Sequence, residues 1–265
     1  MPDPDVSQSR VLITGAAGGL GSALASEFVK QGWKVALCDV DRDAVEALAG
    51  RMKARGGDVL SARCDVTVES ELIKLRELCE AEWGGLDVLI NNAGIASMAA
   101  IHKEPLDRWQ RLVEINLLGV VRGCHFFVPL FKQQGSGHIV NIASIAGVAN
   151  TPYMAAYNAT KAGVISLSET LLVELKPSNI GVTVVCPAMF KTGIAQGASI
   201  DNPKLLGALE AEMEKSPISA DDIARQVFSA VQRKQFMVIP HRASRWMWRV
   251  KRVSPALYRR LFLKH

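Results

Sequence analysis

The sequence is poor in residues that form disulfide or metal sites. Its five cysteines, Cys38, Cys64, Cys79, Cys124 and Cys186, are odd in number and scattered along the chain. Metal sites built on cysteine need ligands a few residues apart, so this spacing argues against one. The five histidines are also dispersed. We therefore expect no bound metal, and we interpret the cysteines as small apolar residues of a protein in a reducing compartment.

The sequence also lacks the patterns of targeting and membrane insertion. No stretch reaches the roughly 18 apolar residues that a membrane-spanning helix needs. The first residues, Met1-Pro2-Asp3-Pro4-Asp5, contain no basic region followed by an apolar run, so we expect no signal peptide. No low-complexity linker interrupts the chain before about residue 232. We expect a soluble cytoplasmic protein whose 265 residues bury one large core.

Acidic residues are missing from the end of the chain. The range 233–265 holds ten of the 31 basic residues and no Asp or Glu. The rest of the chain holds 21 basic and 26 acidic residues and is therefore mildly acidic, although the whole chain has a net charge of +5. The two parts must be considered separately, since a basic tail and an acidic body attract different partners.

The basic tail is predicted to form two amphipathic helices. In residues 241–265, Ser254 and Pro255 are typical of a helix N-cap followed by a proline at the first helical position. Helical spacing divides the first helix into two sides, a basic one with Arg242, Arg245, Arg249 and Arg252 and an apolar one with Trp246, Met247, Val250 and Val253. Two interpretations remain open: these helices pack on the body or on another subunit, or they contact an anionic membrane. No nucleic-acid-binding motif accompanies the charge, so we expect no nucleic-acid partner.

Residues 1–240 show strands that alternate with helices. Apolar runs rich in Val, Ile and Leu predict strands at Arg10–Thr14, Lys34–Asp39, Asp58–Cys64, Leu86–Asn91, His138–Ala143 and Gly181–Pro187. Helical periodicity is found at Leu20–Gln31, Arg42–Arg55, Glu69–Trp83, Leu106–Gln134 and Tyr153–Lys176. This order predicts an α/β fold, a doubly wound (Rossmann) parallel sheet flanked by helices on both faces in a single domain.

A glycine-rich turn joins the first strand to the first helix. The segment Thr14–Gly21 allows close approach of a pyrophosphate to the backbone and to the N-terminus of the helix. Asp39 ends the second strand, where a carboxylate accepts hydrogen bonds from an adenosine ribose and repels a 2′-phosphate. A helix N-cap is the alternative role for Asp39, although Asp41 suits that role equally well. We expect NAD rather than NADP, although Arg42 leaves this preference open.

Tyr157 and Lys161 carry the predicted chemistry. They are four residues apart on one helix and therefore lie on the same face. At that distance we expect the ammonium group to lower the pKa of the phenol. Ser144, thirteen residues before Tyr157, is expected to hold a carbonyl or alcohol oxygen beside the phenol. These three residues predict proton transfer at a C–O centre.

Six motifs in one order resemble the classical short-chain dehydrogenase/reductase family over about residues 8–240. The matching residues are Thr14, Gly15, Gly19 and Gly21 in the glycine turn, Asp65-Val66, Asn91-Asn92-Ala93-Gly94, Asn116, Ser144, and Tyr157 with Lys161. One departure is visible, because this chain has Pro187-Ala188 where the family usually has Pro-Gly. Alanine is unsuited to that turn if the turn needs a positive φ.

The resemblance implies a role for each matching residue. Tyr157 would transfer the proton, Lys161 would lower its pKa and hold the nicotinamide ribose, and Ser144 would orient the substrate oxygen. Asn116 would hold a water that links Lys161 to solvent, and Asn91 would be structural. The cofactor would be bound by Gly15, Gly19, Leu20, Gly21, Asp39, Asp65, Val66, Asn92, Ala93, Gly94, Tyr157, Lys161, Pro187 and Thr192.

The substrate end of the site is expected to be apolar. Leu206, Leu209 and Met213 have helical spacing within a segment that fits a lid over the cofactor. Lys191 is the one cation placed to bind a charged substrate. We therefore expect an apolar secondary alcohol or its ketone as substrate, and a homodimer or homotetramer. The alternative function is a non-catalytic NAD-binding protein that docks on a membrane or a partner through its tail.

Overall fold

The computed structural model describes residues 9–191, 199–200 and 203–262, and a parallel β-sheet lies at its centre. The strands of the described chain are β1 (Arg10–Thr14), β2 (Lys34–Asp39), β3 (Val59–Arg63), β4 (Val88–Asn91), β5 (Ser97–Met98), β6 (Gly137–Ile142), β7 (Ile180–Val185), β8 (Ser199–Ile200) and β9 (Met237–Val238). Seven of them form one sheet in the order β3-β2-β1-β4-β6-β7-β9, and β5 pairs with β8 separately. Every pair is parallel.

Helices cover both faces of the seven-stranded sheet. They are α1 (Gly19–Lys30), α2 (Arg42–Lys53), α3 (Glu69–Trp83), α4 (Leu106–Val113), α5 (Gly119–Gln134), α6 (Ala146–Ala149), α7 (Ala155–Glu174), α8 (Pro203–Glu214), α9 (Ala220–Gln232), α10 (Arg242–Val253) and α11 (Pro255–Phe262). Val11 and Ile13 of β1 pack toward α1, α2 and α9, whereas Leu12 packs toward α3, α5 and α7. Because both faces of each strand are buried, the strands are almost continuously apolar in sequence.

The strand order reverses between β1 and β4, which lie side by side. In an open parallel sheet such a reversal opens a crevice at the carboxyl ends of the strands. The turns after β1, β4 and β6 therefore converge on one place, and they carry the glycine turn, the segment Asn91–Gly94 and Ser144. The predicted α/β fold with one doubly wound sheet is confirmed.

Most predicted elements are present with small shifts of their ends. Strands β1 and β2 and helix α3 have the predicted bounds. The predicted helix Leu106–Gln134 is interrupted by a π-helical turn at Glu114–Leu118. Strands β5, β8 and β9 and helix α9 were not predicted. Strands of two residues are too short to show periodicity, so sequence patterns do not reveal them.

The segment Leu106–Gln134 corrects the expectation about apolar length. By length and composition alone, this helical segment of the described chain is long and apolar enough to cross a membrane, with a mean hydropathy of 1.3. Several of its side chains, among them Phe127 and Phe131, are fully buried against the sheet. A core helix satisfies the same test as a membrane-spanning one, since both are rich in apolar residues.

The two predicted tail helices are present as α10 and α11. The backbone N–H of Leu257 donates a hydrogen bond to the Ser254 hydroxyl at 3.2 Å, and Pro255 is the first residue of α11. The predicted cap is thereby confirmed. Ser254 begins the second helix because its hydroxyl replaces a hydrogen bond that the first turn of the helix lacks.

Candidate active site at the carboxyl edge of the sheet

Thr14 and Asn92 join the glycine turn to the segment that follows β4. The Thr14 hydroxyl accepts hydrogen bonds from the backbone N–H groups of Asn92 and Ala93, each at 3.0 Å. In return, the Asn92 amide donates to the carbonyls of Thr14 and Gly15, each at 2.9 Å. The two turns are therefore held as one unit in the crevice.

Two glycines of the turn allow a close approach of backbone segments. Gly15 has a φ of +61°, and a Cβ atom there would lie 2.7 Å from the Cα of Ala93. A Cβ atom on Gly21 would lie 2.2 Å from the carbonyl oxygen of Gly15. Helix α1 can thus begin directly beneath the turn, which directs its unpaired N–H groups at the crevice.

The Asp39 carboxylate lies at the edge of the same turn. It accepts hydrogen bonds from the backbone N–H of Ala17 at 3.0 Å and of Asp41 at 3.2 Å. Asp41, and not Asp39, caps α2, because it accepts from the Ala44 N–H at 3.0 Å. The alternative role of Asp39 as a helix cap is therefore excluded. Arg42 is not among the described residues that line the crevice.

The crevice is a cavity of about 670 Å³. Nearly all of the predicted site residues line it. They are Gly15, Gly19, Leu20, Gly21, Asp39, Asp65, Val66, Asn92, Ala93, Gly94, Ser144, Tyr157, Lys161 and Pro187. Asn116 lies behind the wall and is fully buried. The predicted contact Thr192 lies outside the described residues.

Asp65 forms part of the wall after β3. Burial opposes ionisation of its carboxyl group, but two hydrogen bonds from Thr67 and the charges of Arg63 and Arg111 hold its pKa below the usual value. Arg111 itself lines the cavity. Sequence reasoning missed Arg111, because its position on α4 gives no sign that this helix reaches the crevice.

Ser144 follows β6 and is held by the turn after β7. Its hydroxyl accepts a hydrogen bond from the Ala146 N–H at 3.1 Å and donates one to the Pro187 carbonyl at 3.4 Å. The Ile145 N–H also donates to the Pro187 carbonyl, at 2.8 Å. Ala188 is absent from the described residues with positive φ, so alanine fits this turn without strain. The departure from the family pattern does not disturb the turn.

Tyr157 is buried beside Ser144. Burial raises the pKa of its phenol, and a hydrogen-bonding interaction with Ser144 lowers it by a smaller amount. The ammonium group of Lys161 lies 5.7 Å from the centre of the Tyr157 ring. The pKa of Tyr157 is therefore raised, and the expectation of a lowered pKa is wrong for the protein's own groups. Burial removes water from the phenolate form, and the ammonium group of Lys161 lies over the ring rather than at the hydroxyl.

Lys161 is buried in the same wall. Its ammonium group donates a hydrogen bond to the Ile142 carbonyl at 2.8 Å. Burial lowers the pKa of Lys161 to about 8, and the nearby Cys186 raises it slightly. A lysine with this pKa exchanges its proton near neutral pH, which suits a group that takes part in proton transfer.

Asn116 holds the segment after β4 from behind. Its amide oxygen accepts a hydrogen bond from the Ile95 N–H at 2.8 Å, and its amide nitrogen donates to the Ile95 carbonyl at 2.9 Å. The residue lies in the π-helical turn of the long helix. Such turns are often found at functional sites. The described contacts give Asn116 a positioning role, and the water that it was expected to hold stays a prediction.

The far end of the cavity is apolar. The described residues that line it there include Met154, Met189, Phe190, Leu209 and Met213. Leu209 and Met213 are buried on one face of α8, and Glu210, Glu212 and Glu214 are exposed on the other. Lys191 is exposed and pairs with Glu214 at 2.7 Å, so it does not face the cavity. Helix α8 lies at this end of the cavity through Leu209 and Met213, and its action as a lid stays a prediction.

Two contacts in the wall were not foreseen. A Cβ atom on Gly147 would lie 2.7 Å from the backbone of Lys161 and Ala162, so α6 touches α7 directly. His241 accepts a hydrogen bond from the Ala188 N–H at 3.3 Å and contacts the Ser216 hydroxyl at 3.2 Å. Both residues join parts of the chain that are distant in sequence. Within the described residues, no group of three or more potential metal ligands is found.

A family model described as short chain dehydrogenase matches residues 9–203. The chain is 33% identical over 228 residues to the 2-(R)-hydroxypropyl-CoM dehydrogenase of Xanthobacter autotrophicus. The matched region covers 84% of this chain and 90% of that protein.

Solved structures share the whole fold. A short chain dehydrogenase/reductase from Burkholderia phymatum in complex with NAD has a TM-score of 0.89 and 29% identity, with 95% of each chain covered. A short-chain dehydrogenase from Sphingobium yanoikuyae in complex with NADPH has a TM-score of 0.78 and 32% identity, with 94% of each chain covered.

Proposed function

The chain belongs to the short-chain dehydrogenase family, and on that premise we propose that it transfers a hydride between NAD(H) and an apolar secondary alcohol or ketone. The family assignment makes it an oxidoreductase with a nucleotide-binding Rossmann fold and a nicotinamide cofactor. The observation that carries the finer proposal is that Ser144, Tyr157 and Lys161 line one cavity together with the glycine turn.

The residues of the cavity fit a nicotinamide dinucleotide. The close packing at Gly15 and Gly21 leaves the backbone N–H groups of the turn accessible to a pyrophosphate. Asp39 would bind the adenosine ribose, and Lys161 would bind the nicotinamide ribose. When bound, the cofactor accepts or donates the hydride.

The protein's own groups would move the proton. Tyr157 would give its phenolic proton to a carbonyl oxygen or take one from an alcohol. Ser144 would hold that oxygen by a hydrogen bond, since its hydroxyl interacts with the phenol of Tyr157. Lys161, with a pKa near 8, would supply the charge that offsets a developing phenolate.

NAD is proposed over NADP on the basis of charge. The Asp39 carboxylate would repel a 2′-phosphate, and the backbone N–H groups of Ala17 and Asp41 already hold it in the cavity wall. Structures of the family contain either cofactor, as the complexes with NAD and NADPH demonstrate. Turnover measured with each cofactor tests the proposal, and faster turnover with NADP would overturn it.

An apolar substrate is proposed on the basis of the cavity's far end. Methionine, phenylalanine and leucine side chains line it, and Lys191 is engaged with Glu214 outside. Closing of α8 over the bound substrate would exclude water from the reaction. A panel of aliphatic and aromatic secondary alcohols, set against sugars and charged hydroxy acids, tests the class. Turnover restricted to the charged substrates would overturn it.

We also propose a cytoplasmic homo-oligomer, as is common in this family. Helices α5 and α7 leave the apolar side chains of Val121, Leu172 and Val173 partly or largely exposed. Apolar residues on long helices are typical of surfaces that pack against another subunit. Sedimentation of the purified protein measures the number of subunits, and a monomer at every concentration would contradict this proposal.

The substitution Tyr157→Phe tests the chemistry. It removes the hydroxyl and keeps the ring, so packing in the cavity wall is retained. We expect kcat to fall by a factor of at least about 100, because general acid–base catalysis contributes about that much. Binding of the cofactor, measured by fluorescence titration, is expected to change little.

Tyr153→Phe is the matched control, since Tyr153 is largely exposed and its hydroxyl lies outside the described cavity. It is expected to retain full turnover. If Tyr157→Phe keeps its activity, the phenol is not the proton donor. If the wild-type protein binds NAD but turns over no alcohol or ketone, the alternative of a non-catalytic NAD-binding protein is favoured.

A further inference from the structure

Helices α10 and α11 are fixed to the body through their inner faces. Ser244 and Tyr258 are buried, and Trp248 packs against the core. The Tyr258 hydroxyl donates a hydrogen bond to the Ala149 carbonyl at 2.7 Å, and the ammonium group of Lys251 donates to the Val148 carbonyl. The expectation that the tail packs on the fold is therefore met on this side, and the outer side needs another explanation.

The outer side carries large apolar side chains in contact with solvent. Val253 is 86% exposed, Trp246 54%, Leu261 45% and Leu257 44%. The rings of Trp246 and Phe262 lie 5.3 Å apart and join the apolar side of α10 to the end of α11. We call the exposed apolar side chains of the two helices, Trp246, Val253, Leu257, Leu261 and Phe262, the outer patch.

Arginines surround the outer patch. Of the seven basic residues in α10 and α11, Arg252 pairs with Glu169 at 3.6 Å and Lys251 binds the Val148 carbonyl. The remaining five are exposed and have no carboxylate at ion-pair distance within the described chain. They are Arg242, Arg245, Arg249, Arg259 and Arg260. No acidic residue of either helix reduces this charge.

A basic cavity adjoins the same helix. It has a volume of about 570 Å³ and lies between α9, β9 and α10. Arg225, Arg233, Arg245 and Arg249 line it, with Asp222 as the one carboxylate among its described lining residues. Asp222 already pairs with Arg225 at 2.5 Å, so the cavity keeps an excess of positive charge. A phosphate-containing headgroup matches this cavity in charge.

We propose that the outer patch and its arginines dock on an anionic lipid surface. The apolar side chains would enter the boundary between headgroups and acyl chains, and the arginines would contact the phosphates. A second copy of the chain, paired through the same patch, would place arginine against arginine. A nucleic acid would satisfy the arginines but would leave Leu257, Leu261 and Val253 in water.

Co-sedimentation of the full chain with vesicles tests this proposal. One set of vesicles contains phosphatidylcholine and phosphatidylserine at about three to one, and the other contains phosphatidylcholine alone. We expect binding to the anionic vesicles that weakens in high salt, and no binding to the neutral ones. Equal binding to both sets, or binding to neither, would overturn the proposal.

Charge and apolar contact are tested by separate variants. Arg245→Gln with Arg249→Gln is expected to weaken binding about 30-fold, since each basic residue near the surface contributes about a factor of five. Arg51→Gln with Arg55→Gln is the matched control, because these exposed arginines lie by α2 at the opposite end of the strand order. Leu261→Ser is expected to weaken binding several-fold, and Leu106→Ser, at a site 78% exposed on α4, is expected to have no effect.

The remaining outcomes distinguish the other partners. All four variants are expected to keep the turnover of the parent, which shows that each is folded. If Leu261→Ser binds the vesicles as the parent does while the arginine variant no longer binds them, the patch serves a polyanion such as nucleic acid and the lipid proposal fails. If the parent self-associates without lipid and Leu261→Ser does not, the patch contacts a second copy and the proposal fails likewise.

Discussion

Lys161 shows how burial sets the chemistry of a single residue. The residue is 4% exposed, and its ammonium group has the Ile142 carbonyl as a hydrogen-bond acceptor. The described surroundings provide no carboxylate partner for it, so the charged form loses more hydration than it regains. The pKa of Lys161 is lowered from 10.5 to about 8 for this reason.

The stability of the protein should therefore depend on pH through Lys161. Between about pH 8 and pH 10.5 the unfolded chain keeps this proton and the folded protein releases it. The unfolded state then binds more protons, so the free energy of unfolding rises with pH in this window. The free energy of unfolding of the wild type, measured relative to that of Lys161→Met in denaturant titrations, should rise by about 3 kcal/mol from pH 7.5 to about pH 10.5.

Lys74→Met is the control for this titration, because Lys74 is exposed on α3. The difference between this variant and the wild type is expected to stay constant over the same pH range. A constant difference for Lys161→Met as well would mean that burial does not shift the pKa of Lys161.

At the scale of elements, one glycine determines how closely α6 approaches α7. A Cβ atom on Gly147 would lie 2.7 to 2.8 Å from backbone atoms of Lys161 and Ala162. Backbone atoms of a long helix do not move aside easily, so α6 must shift instead. Helix α6 begins two residues after Ser144 and contacts the tail through Val148 and Ala149.

Gly147→Ala is therefore expected to reduce both activity and stability. Overpacking at such a contact costs about 1 to 3 kcal/mol, and the shift of α6 should raise KM for the substrate. Gly50→Ala is the matched control, because Gly50 lies in α2 with no atom within 4 Å of the added Cβ. That substitution is expected to stabilise the protein by about 0.5 to 1 kcal/mol, as in other helices. Thermal unfolding and steady-state kinetics of both variants measure these effects.

A stabilised or unchanged Gly147→Ala variant would show that α6 has room to move.

The π-helical turn at Glu114–Leu118 is a second element-scale feature that positions the site, because it carries Asn116 to the backbone of Ile95. Periodicity could not reveal this turn, since one extra residue in a helix of 29 residues hardly changes the apolar pattern.

At the scale of the whole molecule, the core protects every cysteine. All five cysteines are free and buried, and all five belong to the part of the core on one face of the sheet. Burial raises the pKa of Cys79, Cys124 and Cys186 to about 12. Their thiolate forms, which are the nucleophiles, are therefore scarce at neutral pH.

The folded protein is therefore expected to resist thiol reagents. An aromatic disulfide reagent should label none of the five cysteines in buffer and all five in denaturant, as measured by absorbance. Ser70→Cys, at an exposed position on α3, supplies a control thiol that should react at once. Rapid labelling of the wild-type protein in buffer would show that the core opens far more readily than its packing indicates.

The order of strands and helices, the glycine turn and the spacing of Ser144, Tyr157 and Lys161 were predictable from the sequence. These features depend on local periodicity and on residue types within one turn or helix, which neighbours along the chain determine. The cap at Ser254 belongs to the same group, because an N-cap acts within four residues.

Only the tertiary structure decided the direction of the pKa of Tyr157 and the fit of Ala188 in the turn after β7. It also decided which side of the tail packs on Val148 and Ala149 and which side remains exposed. Burial depends on packing between parts of the chain that are far apart in sequence, as in the contacts of Lys251 with Val148 and of Tyr258 with Ala149, and a linear pattern carries no information about which parts meet.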